Sequence, residues 1–168
     1  MRMRSLSKGC ALDEQYVRKE YPLSDVTARI IAAATEVHRT LGQGFEEVIY
    51  QRALARELPL HNLGFSREVR MAVYYKGEKL GSKRMDFVID EVMVEIKARA
   101  ALEAVDFVQT LSYLKASGYK VGLLINFGAA KLQIKRLVNR GGQCDQNGFS
   151  VSVILRPHTV GDSWRGRG

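Results

Sequence analysis

Asp86, Glu95 and Lys97 are the residues of this 168-residue chain whose types and spacing point most directly to chemistry. If Asp90 and Glu91 form a hairpin turn, Ile89 pairs with Val92, and counting back sets Asp86 opposite Glu95 and Arg84 opposite Lys97. Side chains alternate along a strand, so Glu95 and Lys97 share a face about 7 Å apart, and Asp86 joins them there. The other face takes Met85, Phe87, Ile89, Val92, Val94 and Ile96, an apolar set that reads as core. Carboxylates facing each other across strands repel unless a proton or a cation sits between them. Oxygen ligands of this kind suit Mg²⁺, with Mn²⁺ as a substitute, because such an ion binds through one or two carboxylates and keeps several waters. With Lys97 beside it to steady a phosphate oxygen or an attacking water, the set suits metal-assisted phosphodiester hydrolysis. The alternative is a solvated hairpin face on which Asp86 pairs diagonally with Lys97, and Glu95 with Arg84.

Further residues extend the pattern. Gln109 and Tyr113 are four apart and therefore neighbours on one helical stripe, predicted to lie opposite Phe107, Leu111 and Leu114 and to aim two polar tips at a site. Glu47 falls on the apolar stripe of Tyr50, Leu54 and Leu58, where a carboxylate is costly unless something pairs with it. His38, on the shoulder of its own stripe, reads as structural.

These residues must be positioned by regular elements, and the patterning supplies them. A helix is predicted from Ser24, its N-cap, to Leu41, with Gly42 as the stop. A second runs from after Gly44 to about Leu58, where Pro59 interrupts it. Strands are expected over Val69–Tyr75, Arg84–Ile89 and Val92–Lys97, then a helix from about Leu102 to Ser117. Val121 to Asn126 reads as a strand covered on both faces, with Leu132–Val138 and Val151–Leu155 as further strands. The order implies an α/β chain of the α+β kind, a central mixed sheet flanked by helices. The expected divisions are an arm (1–22), the domain (23–140), a loop with an extra edge strand (141–156) and a tail (157–168). No Gly-rich phosphate loop follows a strand, which disfavours nucleotide-triphosphate chemistry.

Composition narrows the classes further. Lys and Arg outnumber Asp and Glu by 26 to 18, a net charge of +8 that favours polyanionic partners. Part of the excess lies in Arg2, Arg4, Arg165 and Arg167. Cys10 and Cys144 are too few for a disulfide scaffold or a zinc cage and read as reduced thiols. The longest apolar runs are too short to span a bilayer, and no apolar stretch follows the basic start, so a cytoplasmic protein without a membrane partner is expected.

Gly44-Phe-Glu-Glu47-Val-Ile-Tyr50 resembles the signature of the GxxExxY protein family, placed within the PD-(D/E)XK nuclease superfamily. The resemblance continues through Tyr75-Lys-Gly77, Leu80-Gly81, Asp86, Val94-Glu95-Ile-Lys97-Ala98, Gln109, Tyr113-Leu-Lys115 and Gly122 to Gly128. It implies a restriction-endonuclease-like αβββαβ core, with Asp86, Glu95, the Ile96 carbonyl and Glu47 holding a divalent metal and Lys97 as the catalytic lysine. Gln109 and Tyr113 match the Gln-x-x-x-Tyr motif of exonuclease-like branches and would position substrate. Met85 stands where the superfamily's name has Pro. The expected activity is a metal-dependent nuclease, with DNA ahead of RNA as substrate. The rivals are a non-catalytic nucleic-acid-binding module and a protein-interaction module. No protein partner or oligomeric state is implied.

Overall fold

The computed structural model describes residues 23–139 and the backbone of 151–154. The expectations for Cys10, Cys144, the arm, the loop and the tail arginines lie outside the described residues.

Helix α1 (Ser24–Leu41) buries Ile30, Ala33, Ala34 and Val37, the stripe its periodicity predicts, and stops at Gly42, whose φ is 68°. Its start differs from expectation. Leu23, at φ 60°, occupies the cap position, and Ser24 is already helical, its carbonyl accepting a hydrogen bond from the Thr27 hydroxyl. Leu23 packs against the core, and that burial outweighs a hydroxyl cap worth about 1 kcal/mol. His38 is structural, its Nε2 donating to the Ala129 carbonyl at 3.0 Å. Helix α2 (Glu47–Glu57) follows, and Leu58–His61 continues it as a 3₁₀ turn through Pro59.

The sheet comprises β1 (Ser66–Tyr75), β2 (Glu78–Ile89), β3 (Val92–Lys97), β4 (Val121–Asn126), β5 (Gln133–Val138) and β6 (Val151–Ile154). Its order is β5-β4-β3-β2-β1-β6. Only β3 and β4 run parallel among these pairs, joined by a crossover through helix α3 (Ala104–Ser117). Every residue of β3 and β4 is buried, as strands covered on both faces require. One face packs Phe87, Val94, Ile96 and Ile125 against α1 and α2. The other packs Val69, Met71, Met85 and Met93 against Leu114 of α3. Among the described residues no helix is long and apolar enough to cross a membrane.

Met85 therefore departs from expectation: it is buried, but on the face opposite Phe87. The alternation of β2 breaks at Asp86. In the β1–β2 ladder Arg67 pairs with Phe87 and Val69 with Met85, yet the rung between them is missing. Glu68, across from Asp86, sits at φ 53°, and this left-handed residue turns the pleat over. The β2–β3 ladder also ends early. The Asp90–Glu91 turn has both residues at positive φ, and Ile89 pairs with Val92 as expected, but pairing stops at Phe87↔Val94. Asp86 does not form a rung with Glu95, nor Arg84 with Lys97.

The two glycines beside the site separate tight packing from backbone contact. A Cβ on Gly122 would meet the ends of the Met93 and Leu114 side chains at 3.3 Å and beyond, whereas one on Gly128 would lie 2.4 Å from the Arg99 nitrogen. Gly122→Ala should cost about 1 kcal/mol or less in urea unfolding, and Gly128→Ala about 3 kcal/mol or more, because a rotamer can yield and a backbone cannot. Equal losses would show that the close approach at Gly128 is not a constraint.

Candidate active site

Asp86 joins three elements. Its Oδ2 accepts from the Ile96 backbone N–H of β3 at 2.8 Å, and its Oδ1 from the Gln51 side chain of α2 at 2.8 Å. Where the ladder stops, a side-chain carboxylate thus takes the place of a strand carbonyl. Glu95 lies on the adjoining strand with its Oε1 accepting from Lys97 Nζ at 3.1 Å. Its Oε2 is buried and has no hydrogen-bond partner among the described residues. Asp86, Glu95 and Lys97 are each less than a tenth exposed. The diagonal pairing open to a solvated face is absent: Lys97 pairs with Glu95, and Arg84 with Glu68 at 3.5 Å.

Burial in this cleft works against every carboxylate. It pushes Glu95 up to about 7, helped by the charge of Asp86 and opposed by Lys97. Burial also raises Asp86, against the Ile96 N–H and the charges of Lys97, Arg84 and Arg67. Glu47 is half-buried and raised by the same desolvation and by Asp86, with Lys97 and Arg99 pulling the other way. Burial alone would lower the Lys97 ammonium, but Glu95, Glu47 and Asp86 outweigh it and hold Lys97 above its ordinary value. The cleft therefore retains Lys97 as a cation and is short of positive charge beside its carboxylates.

Glu47 reaches this field because of the residues around it. Gly44 adopts φ 108°, which a side chain would resist, and the loop it forms is held by Tyr50. The Tyr50 hydroxyl donates to the Gly42 carbonyl at 2.8 Å and accepts from the Phe45 N–H at 3.2 Å, while its ring stacks on Phe127. Glycine and tyrosine thus set where α2 begins, and Glu47 is its first residue. Gln51, four residues on and so on the same side, was missed by sequence reasoning although that spacing marks it.

The exit of β3 is also clamped. Fully buried Asn126 accepts from the Arg99 N–H and donates to the Arg99 carbonyl, both at 2.9 Å, and donates to Gln133 as well. The Phe127 N–H donates to the Lys97 carbonyl at 2.8 Å. The Arg99 guanidinium lies 3.6 Å from both Glu103 and buried Asp106. No polar pattern in the sequence singled out Arg99.

Gln109 and Tyr113 are hydrogen-bonded to each other, Gln109 Nε2 donating to the Tyr113 hydroxyl at 2.9 Å. Their predicted stripe differs. Helix α3 buries Asp106, Thr110 and Leu114, and Tyr113 packs on the same cluster as Leu114. Phe107 instead lines a shallow groove of about 380 Å³ with Leu102, Leu132 and Ile134. The N-terminal acid pair explains the rotation: Glu103 and Asp106 form a reciprocal capping box that turns Asp106 inward.

Among the described residues no group of three His, Cys, Asp or Glu side chains forms a metal cage. A two-carboxylate site remains, and it fits a hard divalent cation on its own chemistry: an orphaned, buried Glu95 oxygen beside a second raised carboxylate. Residues 24–137 match the family model of the PD-(D/E)XK nuclease superfamily. Searches of curated proteins and of solved structures return no match.

The carboxylates should betray themselves in stability against pH. Glu95 holds its proton more tightly folded than unfolded, so its contribution is complete below pH 4.5 and is lost as pH rises through about 7. In EDTA, Asp86→Asn should lessen that loss and raise the melting temperature at pH 8, since Gln51 can flip to keep both contacts to the new amide. Identical pH profiles for the two proteins would mean that these carboxylates do not repel.

Proposed function

The chain belongs to the PD-(D/E)XK nuclease superfamily, whose members are typically divalent-metal-dependent hydrolytic nucleases, and on that footing we propose that it hydrolyses phosphodiester bonds of nucleic acid with Mg²⁺. The Gly44, Glu47 and Tyr50 spacing supports placing it in the GxxExxY family within that superfamily, with DNA ahead of RNA as substrate. One observation carries the activity: Glu95 Oε2, buried and unpartnered among the described residues, beside Asp86 and next to a buried lysine.

Asp86, Glu95 and the Ile96 carbonyl would hold the cation, and Glu47, at the start of α2, acts on that site through its charge. Mn²⁺ substitutes for Mg²⁺. When bound, the ion supplies Lewis-acid polarisation of a phosphoryl oxygen. Lys97 carries its proton at neutral pH, so it serves as a donor, stabilising charge on the reacting phosphate rather than taking a proton from water. Asp86 keeps the cleft open by occupying the Ile96 N–H with a side chain. Gln51 fixes the carboxylate's orientation from α2. Gln109 and Tyr113 act as a pair on substrate placement, each holding the other's rotamer.

The test is incubation with labelled single- and double-stranded DNA and RNA in Mg²⁺, Mn²⁺ or EDTA. Cutting should require the metal. Lys97→Ala should lower the single-turnover rate at saturating substrate by about 100-fold or more while affinity changes little. Tyr113→Phe and Gln109→Ala should lose less, with part of the loss in affinity. If Lys97→Ala cuts like the parent protein, the assignment fails and a binding module on the same fold takes its place. Stabilisation by Mg²⁺ should also grow between pH 5.5 and 8, because Glu95 must give up the proton it keeps up to about 7. A shift in melting temperature that is flat with pH would remove Glu95 from the ligand set.

A further inference from the structure

Two residues beyond Lys97, strand β3 has ended, yet the chain is still held. The Arg99 N–H and carbonyl are both bonded to the Asn126 side chain at 2.9 Å, and the Phe127 N–H donates to the Lys97 carbonyl at 2.8 Å. Asn126 is fully buried, and the Gly128 backbone approaches Ala98 and Arg99 too closely to leave room for a side chain. The Arg99 side chain therefore leaves from a fixed root, no more than about 7 Å along the backbone from Lys97.

Its guanidinium is half-exposed and lies 3.6 Å from the exposed Glu103 carboxylate and 3.6 Å from the buried Asp106 carboxylate. Both separations exceed a hydrogen bond, and among the described residues the guanidinium donates none. Arg39 shows the contrast: its Nε and Nη2 both donate to Glu36, at 3.0 and 2.6 Å. Asp106 thus steadies the Arg99 charge without taking its donors, while its own Oδ2 accepts from the Glu103 N–H. Toward the cleft, the Arg99 charge acts on Glu47, as does that of Lys97. Two cations two residues apart bear on one carboxylate. The Lys97 ammonium is committed to Glu95, and the Arg99 fork is free.

We propose that Arg99 contacts the substrate directly, its guanidinium fork gripping with two N–H donors the phosphate next to the one being cut. The inference rests on the nuclease reading and adds a substrate-binding residue to it. A planar guanidinium matches two phosphate oxygens, and that paired contact is stronger and more directional than a point charge provides. Lys97, beside the carboxylates, serves the reacting phosphate, and Arg99, further out and half-exposed, serves its neighbour. The competing use is structural: Arg99 neutralises buried Asp106 and so pins the chain after β3 to α3.

The experiment measures binding of the full chain in EDTA, where no cutting occurs, to a labelled DNA oligonucleotide, single-stranded and duplex, across a salt series. Arg99→Gln should weaken binding about fivefold or more and reduce the salt slope by about 0.7 on the single strand and about 0.9 on the duplex, the share of one phosphate. Arg99→Lys should return the slope but recover only part of the affinity, because an ammonium lacks the fork. Arg99→Gln also strips Asp106 of its cation, so it is paired with Arg99→Gln, Asp106→Asn, in which the amide still accepts from the Glu103 N–H. That double variant should melt near the parent protein and bind as weakly as the single one. In Mg²⁺, one methylphosphonate, a linkage without charge, should slow cutting of the adjacent bond about fivefold in the parent and less than about twofold in Arg99→Gln. Unchanged affinity and slope, or full recovery with lysine, would overturn the proposal in favour of the structural use. An equal methylphosphonate effect in both proteins would overturn it by removing the neighbouring phosphate as the contact. Binding that depends on Arg99 in a protein that never cuts would sink the catalytic reading and leave Arg99 as a phosphate contact.

Discussion

The hydrogen bond from the Ile96 backbone to the Asp86 carboxylate is the interaction on which the site depends. Antiparallel strands normally satisfy each other's amides, and β2 and β3 do so from the Asp90–Glu91 turn to Phe87 and Val94. Continuing that ladder would bring Asp86 and Glu95 side by side, two carboxylates at a distance where their repulsion destabilises the pair. The chain instead ends the ladder there and meets the Ile96 N–H with a side-chain oxygen. No buried amide is orphaned at that rung, and the strands are free to part.

Parting the strands has consequences on both sides of Asp86. On β1, Glu68 adopts a left-handed conformation that a non-glycine residue takes only under constraint, and the faces of β2 exchange across that point. Met85 consequently packs beneath α3 while Phe87 packs beneath α2. On β3, nothing among the described residues answers Glu95 Oε2, although Lys97 answers Oε1. Removing a buried carboxylate from water costs several kcal/mol unless it is neutralised or paired, and with Lys97 bonded to one oxygen alone, a proton or a further cation stabilises the other. Desolvation and the Asp86 charge push Glu95 up to about 7, and a divalent ion would satisfy both carboxylates at once.

Much of this was legible in the residues. The hairpin, the shared face of Glu95 and Lys97, the order of elements and the mixed sheet follow from alternation and turn chemistry. What escaped was whatever depends on a break in regularity. Alternation assigns Met85 and Phe87 to one face, and nothing in Glu68 as a residue type announces a positive φ. A two-residue hairpin predicts a continuing ladder, so the missing rung at Asp86 was invisible. Gln51 is a plain glutamine on a helix until the strands part and present it with a carboxylate. The orientation of α3 depends on its capping box, which outweighs the apolar residues that point to a different stripe. Asp106 and Thr110, both polar, occupy the buried stripe that Phe107 and Leu111 were expected to fill.

The charge distribution completes the physical picture. The cleft is a concentration of negative charge inside a chain that is positive overall, and a substrate phosphate would be repelled by it at close range. Three features oppose that repulsion. Lys97 remains charged at the bottom of the cleft, held there by the same carboxylates that would repel the phosphate. Arg99 stands just past the end of β3, its backbone clamped by Asn126 and its side chain by Asp106, so its position follows the rigid exit of the strand. Beyond Asp86, strands β1 and β2 and their turn carry positive charge away from the carboxylates at Lys76, Lys79 and Lys83, and Arg84 and Arg67 bring it up to Asp86 itself. Attraction that is spread along a surface acts at longer range than the repulsion confined to two buried oxygens, so the field would guide a polyanionic substrate in before the carboxylates opposed it. On the proposed reading, a cation held by Asp86 and Glu95 would reverse the sign where a substrate phosphate would rest.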